Sequence, residues 1–177
     1  MAADGTINFT GNITAASCSI TGGAGTNVTG EKGKQDIAVN LGTVSADSVG
    51  GSSGHGIAGG TSINLSLDCG SSATDLTLVK MKFDPLAGSG IDGTNNKLLK
   101  ISGTATGVGI GLYDSNNTLL NLAANETINA PLVKGGTVET PTYTAALNLR
   151  AGYVSNGAAK IAAGTANGTL PFTLSYE

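Results

Sequence analysis

The sequence predicts an all-β protein, an antiparallel β-sandwich of about seven strands joined by long loops. Apolar and polar residues alternate in several short segments, which is the spacing of strands with one buried face. Glycine makes up 28 of the 177 residues and aromatic residues only 4%, and clusters of glycine, serine and asparagine supply turns between the segments. No segment keeps a helical period for three turns, and a chain without crossover helices is expected to pair its strands antiparallel.

The strand segments follow one another along the whole chain. The first one contains alternating residues between positions 5 and 13. The others are residues 37–41, 63–69, 76–83, 98–102, 107–113, 142–151 and 169–176. Loops are expected at 22–33, 50–60, 88–96 and 155–168, where glycine, serine and asparagine concentrate, and residues 45–49 form at most one helical turn.

The composition of the chain excludes several classes of function. Charged residues account for 12% of the chain and the net charge is −3. Because there is no basic patch, nucleic acid is not expected as a partner. No apolar stretch reaches the ~18–20 residues of a membrane-spanning helix, so no membrane insertion is expected. The length predicts one domain, at most with a long arm, that buries a proper core.

No catalytic residue, metal ligand or cofactor site is expected. His55, the single histidine, lies in a glycine-rich loop that is a poor scaffold for a catalytic or metal site. The acidic residues are scattered in turns and beside strands, and no pair is placed for glycoside hydrolysis. The G-x-G pattern at 107–109 has no helix after it, so it does not predict a phosphate site.

The chain contains two cysteines, Cys18 and Cys69, which share no metal-binding spacing. Both lie at strand segments about fifty residues apart, which suits a disulfide across a sandwich. Such a bridge would stabilise the fold by roughly 3–4 kcal/mol in the chain-entropy model and would indicate an oxidising compartment. Two free buried thiols are the alternative, and that reading leaves the compartment open.

The two ends of the chain carry matching strand patterns, although chain termini usually fray. The alternating residues near the start are Gly5, Ile7, Phe9, Gly11 and Ile13, and those near the end are Leu170, Phe172, Leu174 and Tyr176. Either the two strands are edges of one domain, or each strand is completed by another molecule. The second possibility would be a mechanism of assembly.

Several segments, taken in their order, resemble the subunits of chaperone–usher pili and are most similar to type 1 fimbrial pilins. They are ADGTINFTGNITAASCSI at the start, VNLGTVSADS, INLSLDC, GVGIGLYDSNNTLLNL, NLRAGYVS, and TLPFTLSYE with its penultimate Tyr176. Both cysteines fall where such pilins place theirs. The resemblance extends over residues 3–177.

The resemblance implies an incomplete immunoglobulin-like β-sandwich that is completed by a donated strand. Residues 1–14 would be an N-terminal donor-strand extension, and residues 15–177 the pilin domain. The donor residues would be Ile7, Phe9, Gly11 and Ile13, where Gly11 matches the family's glycine and Gly5 departs from its usual larger apolar residue. The acceptor groove would lie beside the last strand, with Leu170, Phe172, Leu174 and Tyr176 facing it.

The same resemblance implies partners and a location. A periplasmic chaperone would first lend a strand, and the extension of the next subunit would replace that strand at the outer-membrane usher. The neighbouring pilin subunits would form a homopolymer. The chain would be exported through the periplasm and would end up outside the cell, as the shaft of a pilus used for adhesion and biofilm formation.

Three alternatives stay open at this point. The first strand would pair within its own domain in an ordinary secreted sandwich. Within a pilus, the chain would instead be a minor adaptor subunit. A secreted β-sandwich that binds glycans would carry aromatic residues at its loop tips, whereas Tyr113, Tyr143 and Tyr153 lie in strand segments.

Overall fold

The computed structural model describes residues 3–13, 18–23, 26–31, 34–49, 58–158 and 160–177. In these residues the secondary structure is almost entirely β. The strands are β1 Ala3–Ile13, β2 Ser19–Gly22, β3 Thr26–Glu31, β4 Lys34–Val44, β5 Ala58–Asp68, β6 Leu78–Phe83, β7 Val108–Tyr113, β8 Thr127–Pro131, β9 Val133–Gly136, β10 Pro141–Ser155, β11 Gly168–Thr169 and β12 Phe172–Tyr176. One α-helical turn, α1 Ala46–Val49, and two 3-10 turns, Pro85–Ala87 and Leu122–Ala124, complete the elements.

The strands form two sheets that pack around one apolar core. The first sheet has the order β3-β4-β1-β12-β6-β8, with β11 also paired to β1. The second sheet has the order β2-β5-β10-β7, with β9 paired to β10. The core draws buried residues from both sheets. The predicted all-β sandwich of antiparallel sheets is therefore confirmed.

One pairing departs from the antiparallel rule. β1 runs parallel to β11 and β12, while it is antiparallel to β4 on its other side. We expected antiparallel pairs because two parallel strands that follow each other in the chain need a long crossover connection. Here the parallel partners are the first and last strands, so the whole intervening chain serves as that connection.

The alternation of apolar residues positions the core. In β10, the longest strand, Tyr143, Ala145, Leu147 and Leu149 are buried whereas the residues between them are exposed. Leu147 lies opposite Leu65 of β5, which is buried as well. Because successive side chains of a strand point to opposite faces, one face of the second sheet packs on the first sheet and the other meets water.

Some expected boundaries were wrong. The expected loop at 22–33 contains the edge strand β3, and the sequence pattern did not indicate β2, β8 or β9. Residues 98–102 form isolated bridges, Leu99 with Ile110 and Ser102 with Asn167, instead of a strand. The helical turn expected at 45–49 is confirmed by α1. Most of the expected loop at 50–60, including His55, lies outside the described residues.

In the part of the chain that the structure describes, no helix is long and apolar enough to cross a membrane.

Candidate functional site

The first strand lies inside a slot between two strands of its own chain. Along one side β1 pairs with β4 over ten register positions, from Ala3 opposite Val44 to Asn12 opposite Lys34. Along the other side it pairs with β11 at Ile7 and Asn8 and with β12 from Gly11 to Ile13. β1 is thus an interior strand of the first sheet, and β4 and β12 border the slot.

The C-terminal wall of the slot is the last strand, in which buried and exposed residues alternate. Leu170, Phe172 and Leu174 are 0%, 2% and 1% exposed, whereas Thr173 and Ser175 between them are exposed. Tyr176 is half-buried, and its hydroxyl accepts a hydrogen bond of 3.3 Å from the backbone N–H of Cys18. Burial raises the pKa of Tyr176 above 10.0, and this hydrogen bond opposes that increase. The predicted alternation of this strand is therefore present.

The opposite wall is formed by β4, where Ile37, Val39 and Leu41 are buried. Gln35 is also buried, and its side chain crosses from the first sheet to β2 of the second sheet. There its Oε1 accepts from the N–H of Ile20 at 3.0 Å, and its Nε2 donates to the Ile20 carbonyl at 3.1 Å. Since a buried amide is tolerated only when it is hydrogen-bonded, this pair of bonds fixes the distance between the two sheets at this point.

The register places the four expected donor residues against these two walls. Ile7 lies opposite Val39 and Phe9 opposite Ile37, both buried residues of β4. Gly11 lies between Gln35 of β4 and Phe172 of β12, and Ile13 lies beside Leu174. The donor and acceptor candidates therefore meet, within one chain. Gly5, the expected departure, lies opposite Gly42 at a β-bulge, where Gly42 has a φ of 70°.

The C-terminal wall is braced from the side that faces away from β1. The N–H of Asp84 donates to the carbonyl of Pro171 at 2.8 Å. Thr169 exchanges two hydrogen bonds with Ser89, from the N–H of Ser89 at 2.9 Å and to its Oγ at 2.7 Å. Gly88 is required here, because a Cβ at this position would overlap the carbonyl oxygen of Thr169. Pro171 lies between β11 and β12, and its ring, which replaces the backbone N–H, lies on the side of Gly88.

A disulfide joins Cys18 to Cys69, as the cysteine spacing suggested. The bridge links the residue before β2 to the residue after β5. Both described cysteines are therefore paired, and the alternative of two free thiols is wrong. Cys18 forms the disulfide and also donates its N–H to the Tyr176 hydroxyl, so Cys18 is held by contacts to both sheets.

Sequence reasoning missed Gln35 and Gly88. Gln35 stands between charged residues and the apolar alternation of β4, and the sequence analysis assigned it no role. A signal was present in the parity: Gln35 is two residues before Ile37 and therefore shares its face. Gly88 lay inside an expected loop, where a glycine is commonplace.

The described residues offer no support for catalysis or for a metal site. No group of three histidine, cysteine, aspartate or glutamate residues is placed to hold a metal ion in this part of the chain. The acidic residue that is most buried, Asp92, accepts hydrogen bonds from the N–H groups of Thr94 and Asn95 and from Asn156. It therefore has a structural role in its turn. Tyr113, Tyr143 and Tyr153 are buried and do not offer a surface for stacking sugars.

Comparison with known proteins defines the class of this protein. The model of the fimbrial protein family matches residues 7–177, and the chain belongs to that family. It is 32% identical to the probable major fimbrial subunit LpfA of Escherichia coli O157:H7, over 98% of this chain and 84% of that protein. It is 31% identical to a type-1 fimbrial protein subunit of Serratia marcescens, over 100% of this chain and 89% of that protein.

A solved structure is similar over the full length. It is an antigen and type I fimbria protein of Burkholderia pseudomallei, with a TM-score of 0.48 and 22% identity over 100% of this chain and 99% of that chain.

The chain is therefore a fimbrial subunit, a structural protein and not an enzyme. The resemblance that the sequence motifs indicated is confirmed. Fimbrial subunits are components of surface pili, and assembly partners follow from membership in the family.

Proposed function

We propose that this protein is the major shaft subunit of a chaperone–usher pilus and that it polymerises by donor-strand exchange. One observation carries the proposal: β1 is an interior strand of the first sheet, between β4 on one side and β11 and β12 on the other, and the disulfide at Cys18 ties the chain that follows it to the second sheet. The first strand of another copy, which carries the same residues, would meet the same two walls. The name of the similar major fimbrial subunit supports the role in the shaft.

The slot needs a strand, whichever chain supplies it. Without β1, the ten pairing positions of β4 and those of β11 and β12 would lose their partners. Both strands would become sheet edges, and Ile37, Val39, Phe172 and Leu174 would border an open apolar groove. Long edges and exposed apolar grooves promote association with other chains. A neighbouring subunit that adds its first strand would satisfy the backbone and fill the groove with alternate side chains.

In this proposal, Ile7, Phe9 and Ile13 are the residues that fill the groove of the neighbour. Gly11 provides the point of close approach, and residues 1–14 act as the extension on a domain of residues 15–177. Once inserted, the strand is hard to withdraw because its loss opens the core of the acceptor, so dissociation is as slow as unfolding. A head-to-tail contact of this kind does not close on itself and generates a filament.

The closed form of the chain competes with assembly. The slot already holds the chain's own strand, and a tethered strand has an effective concentration in the millimolar range. A periplasmic chaperone that lends a strand would keep the slot accessible, and an outer-membrane usher would align the incoming extension. The disulfide agrees with export through the oxidising periplasm to the cell surface.

Uptake of a donor peptide tests the groove. The chain lacking residues 1–14 is refolded with a peptide of residues 3–16 or with the same peptide carrying Phe9→Asp as the matched control. We expect the parent peptide to raise the urea midpoint, because it binds only the folded chain. At a concentration one hundred times its Kd, it should increase the free energy of unfolding by about 2.7 kcal/mol. Equal midpoints with and without the parent peptide would refute an open acceptor groove.

A further inference from the structure

Two opposite ends of the molecule each carry exposed apolar residues, and the charged residues around them are of both signs. The first is the hairpin tip, residues 133–140, which consists of β9 and the turn that leads into β10. The second is the Leu86 end, which we define by Lys82, Asp84 and Leu86. Of the large apolar side chains that the structure describes, Val138, Leu86 and Val133 are the most exposed, at 97%, 79% and 62%. Every residue of the hairpin tip is exposed.

The hairpin tip is held in one shape. The N–H of Thr137 donates to the Thr140 carbonyl at 3.2 Å, and the hydroxyls of the same two residues lie 2.7 Å apart. Gly136 has a φ of 77°, the left-handed conformation that favours glycine. Val138 therefore projects from an ordered turn, with Glu139 next to it and Lys134 in β9 of the same hairpin tip.

The Leu86 end offers the matching charges. A hollow of about 260 Å³ is lined by Lys82, Phe83, Asp84, Asn125 and Thr173, and Leu86 follows in the next 3-10 turn. The ion pair that the described residues form is Lys80 with Glu177. Lys82, Asp84, Lys134 and Glu139 therefore have no ion-pair partner within the described part of the chain.

The two features lie at opposite ends of the sandwich. β6 begins at Leu78, opposite Pro131 just before the hairpin, and ends at Phe83, just before Asp84 and Leu86. Five steps along this strand separate the two ends by roughly 17 Å. The hairpin extends further outward, because β9 pairs with the beginning of β10 beyond the last residue of β5.

The departing strand starts at the end that carries the hairpin tip. Cys18 is bonded there to Tyr176 and to Cys69, and the Cys69 N–H donates to Tyr143 at the base of the hairpin. The chain between Ile13 and Cys18 spans at most ~18 Å. A subunit that accepts β1 must therefore lie against the hairpin tip of the donor. If the donated strand runs antiparallel to β12, its Ile13 lies near Gly168–Phe172 of the acceptor, which is the Leu86 end.

We propose that the hairpin tip of one subunit docks onto the Leu86 end of the next copy of this chain. Val138 packs against Leu86, Glu139 pairs with Lys82, and Lys134 pairs with Asp84. This inference rests on the proposed function, because the neighbour is the subunit that accepts the strand. It adds a second head-to-tail contact and requires that the donated strand run antiparallel to β12, opposite to its direction in the closed monomer.

Carbodiimide cross-linking of the full chain tests the contact, because it joins a lysine to a carboxylate only when the two are paired. The cross-linked polymer is boiled and digested, and its linked peptides are identified by mass spectrometry. The closed monomer, treated in the same way, is the reference. The Lys80–Glu177 link is an internal control and is expected in both samples, since those atoms lie 2.7 Å apart. We expect Lys82–Glu139 and Lys134–Asp84 links in the polymer alone, and Glu139→Gln removes only the first.

The outcomes separate this contact from strand exchange. If the polymer forms a heat-sensitive ladder and gives the control link but neither inter-subunit link, the docking contact is refuted while strand exchange stands. Links from the hairpin tip to a different surface refute it as well. If no ladder forms, strand exchange fails and the docking contact fails with it. Charge reversal gives a second readout. The single variants Glu139→Lys and Lys82→Glu should each lose the link between positions 82 and 139, and a chain that carries both substitutions should regain it.

Discussion

At the scale of single residues, Gln35 has the least expected role. It lies on the wall of the slot, yet its side chain bonds to both backbone groups of Ile20 in the other sheet. Its neighbours in the same register are Gly11 of β1 and Gly30 of β3. We infer that these glycines leave the room through which the long amide reaches across the sandwich. Gln35 thereby connects the slot to β2 and to Cys18.

Replacement of Gln35 by methionine is expected to destabilise the protein. The change keeps the length of the side chain but leaves the N–H and carbonyl of Ile20 without partners, which costs roughly 2 kcal/mol or more. Urea unfolding of the oxidised chain measures this loss. Thr29→Val, on the exposed face of neighbouring β3, is the control and should change stability by less than about 0.5 kcal/mol. Equal stabilities of the two variants would contradict the role of Gln35.

Phe9→Asp is expected to abolish strand donation and to weaken the closed monomer. Phe9 lies opposite buried Ile37, so we expect the new carboxylate to enter an apolar site, at a cost of at least ~3 kcal/mol. Asn8→Asp, opposite exposed Ala38, introduces the same charge one position earlier and serves as control. Unfolding in urea and unheated gels report the two effects. A normal ladder from Phe9→Asp would show that the donor assignment is wrong.

Tyr113 and Tyr176 predict how stability falls at high pH. Burial raises the pKa of both phenols above 10.0, with Arg150 opposing the shift at Tyr113 and the Cys18 N–H opposing it at Tyr176. Because the folded state holds these phenol protons more tightly than the unfolded state, the two tyrosines contribute fully to stability below about pH 10. This contribution is lost as the pH rises through the pKa values of the folded state. Urea midpoints measured from about pH 8 to about pH 12 should fall less steeply in the Tyr113→Phe, Tyr176→Phe variant. If the urea midpoint fell with pH as steeply in this variant as in the parent chain, the two tyrosines would not be the cause of the loss of stability.

At the scale of elements, the disulfide and β2 form the anchor from which the first strand departs. The bridge fixes Cys18 next to the last residue of β5, and Gln35 and Tyr176 hold the same region from the other sheet. In the proposed exchange, β1 would leave the slot while this anchor continues to hold β2 against β5. This separation between a movable strand and a fixed body is what strand exchange requires.

Removal of the disulfide is expected to loosen this anchor. A loop of 51 residues predicts a loss of roughly 4 kcal/mol in the chain-entropy model, which we expect from the Cys18→Ala, Cys69→Ala variant in urea. Hydrogen exchange should rise most in β2, because β2 is the edge strand of the second sheet and pairs there with β5. A loss below about 1 kcal/mol, with β2 still protected, would contradict the anchor.

The elements also show how far the sequence predicts this fold. The alternation in 142–151 and 169–176 predicted β10 and β12 because each has one buried and one exposed face. β9 escaped notice because all its residues are exposed, and β3 because its only half-buried apolar residue is Val28. The alternation in β1 indicated a strand with one buried face, but it carries no information about which strands border it. Its parallel position beside β12 depends on contacts between the two ends of the chain.

At the scale of the whole molecule, the protein consists of one body and one strand that we propose to be exchangeable. In the closed monomer the chain fills its own slot, with β1 antiparallel to β4 and parallel to β12. In the proposed filament the same slot holds the strand of a neighbour, and the hairpin tip meets the Leu86 end. In the closed form β4 and β12 are both paired to β1 and are not sheet edges, and in the proposed filament the same two strands would pair with the strand of the neighbour.

The most direct test of strand transfer compares the full chain with the chain lacking residues 1–14 on unheated and boiled SDS gels. Both are first unfolded in guanidinium and refolded at high concentration under oxidising conditions, so that the strand is released from its own slot. We predict a ladder of multiples from the full chain that boiling abolishes, and no ladder from the truncated chain. If the full chain refolds only to monomers, or if the truncated chain gives the same ladder, then the first strand does not join one subunit to the next.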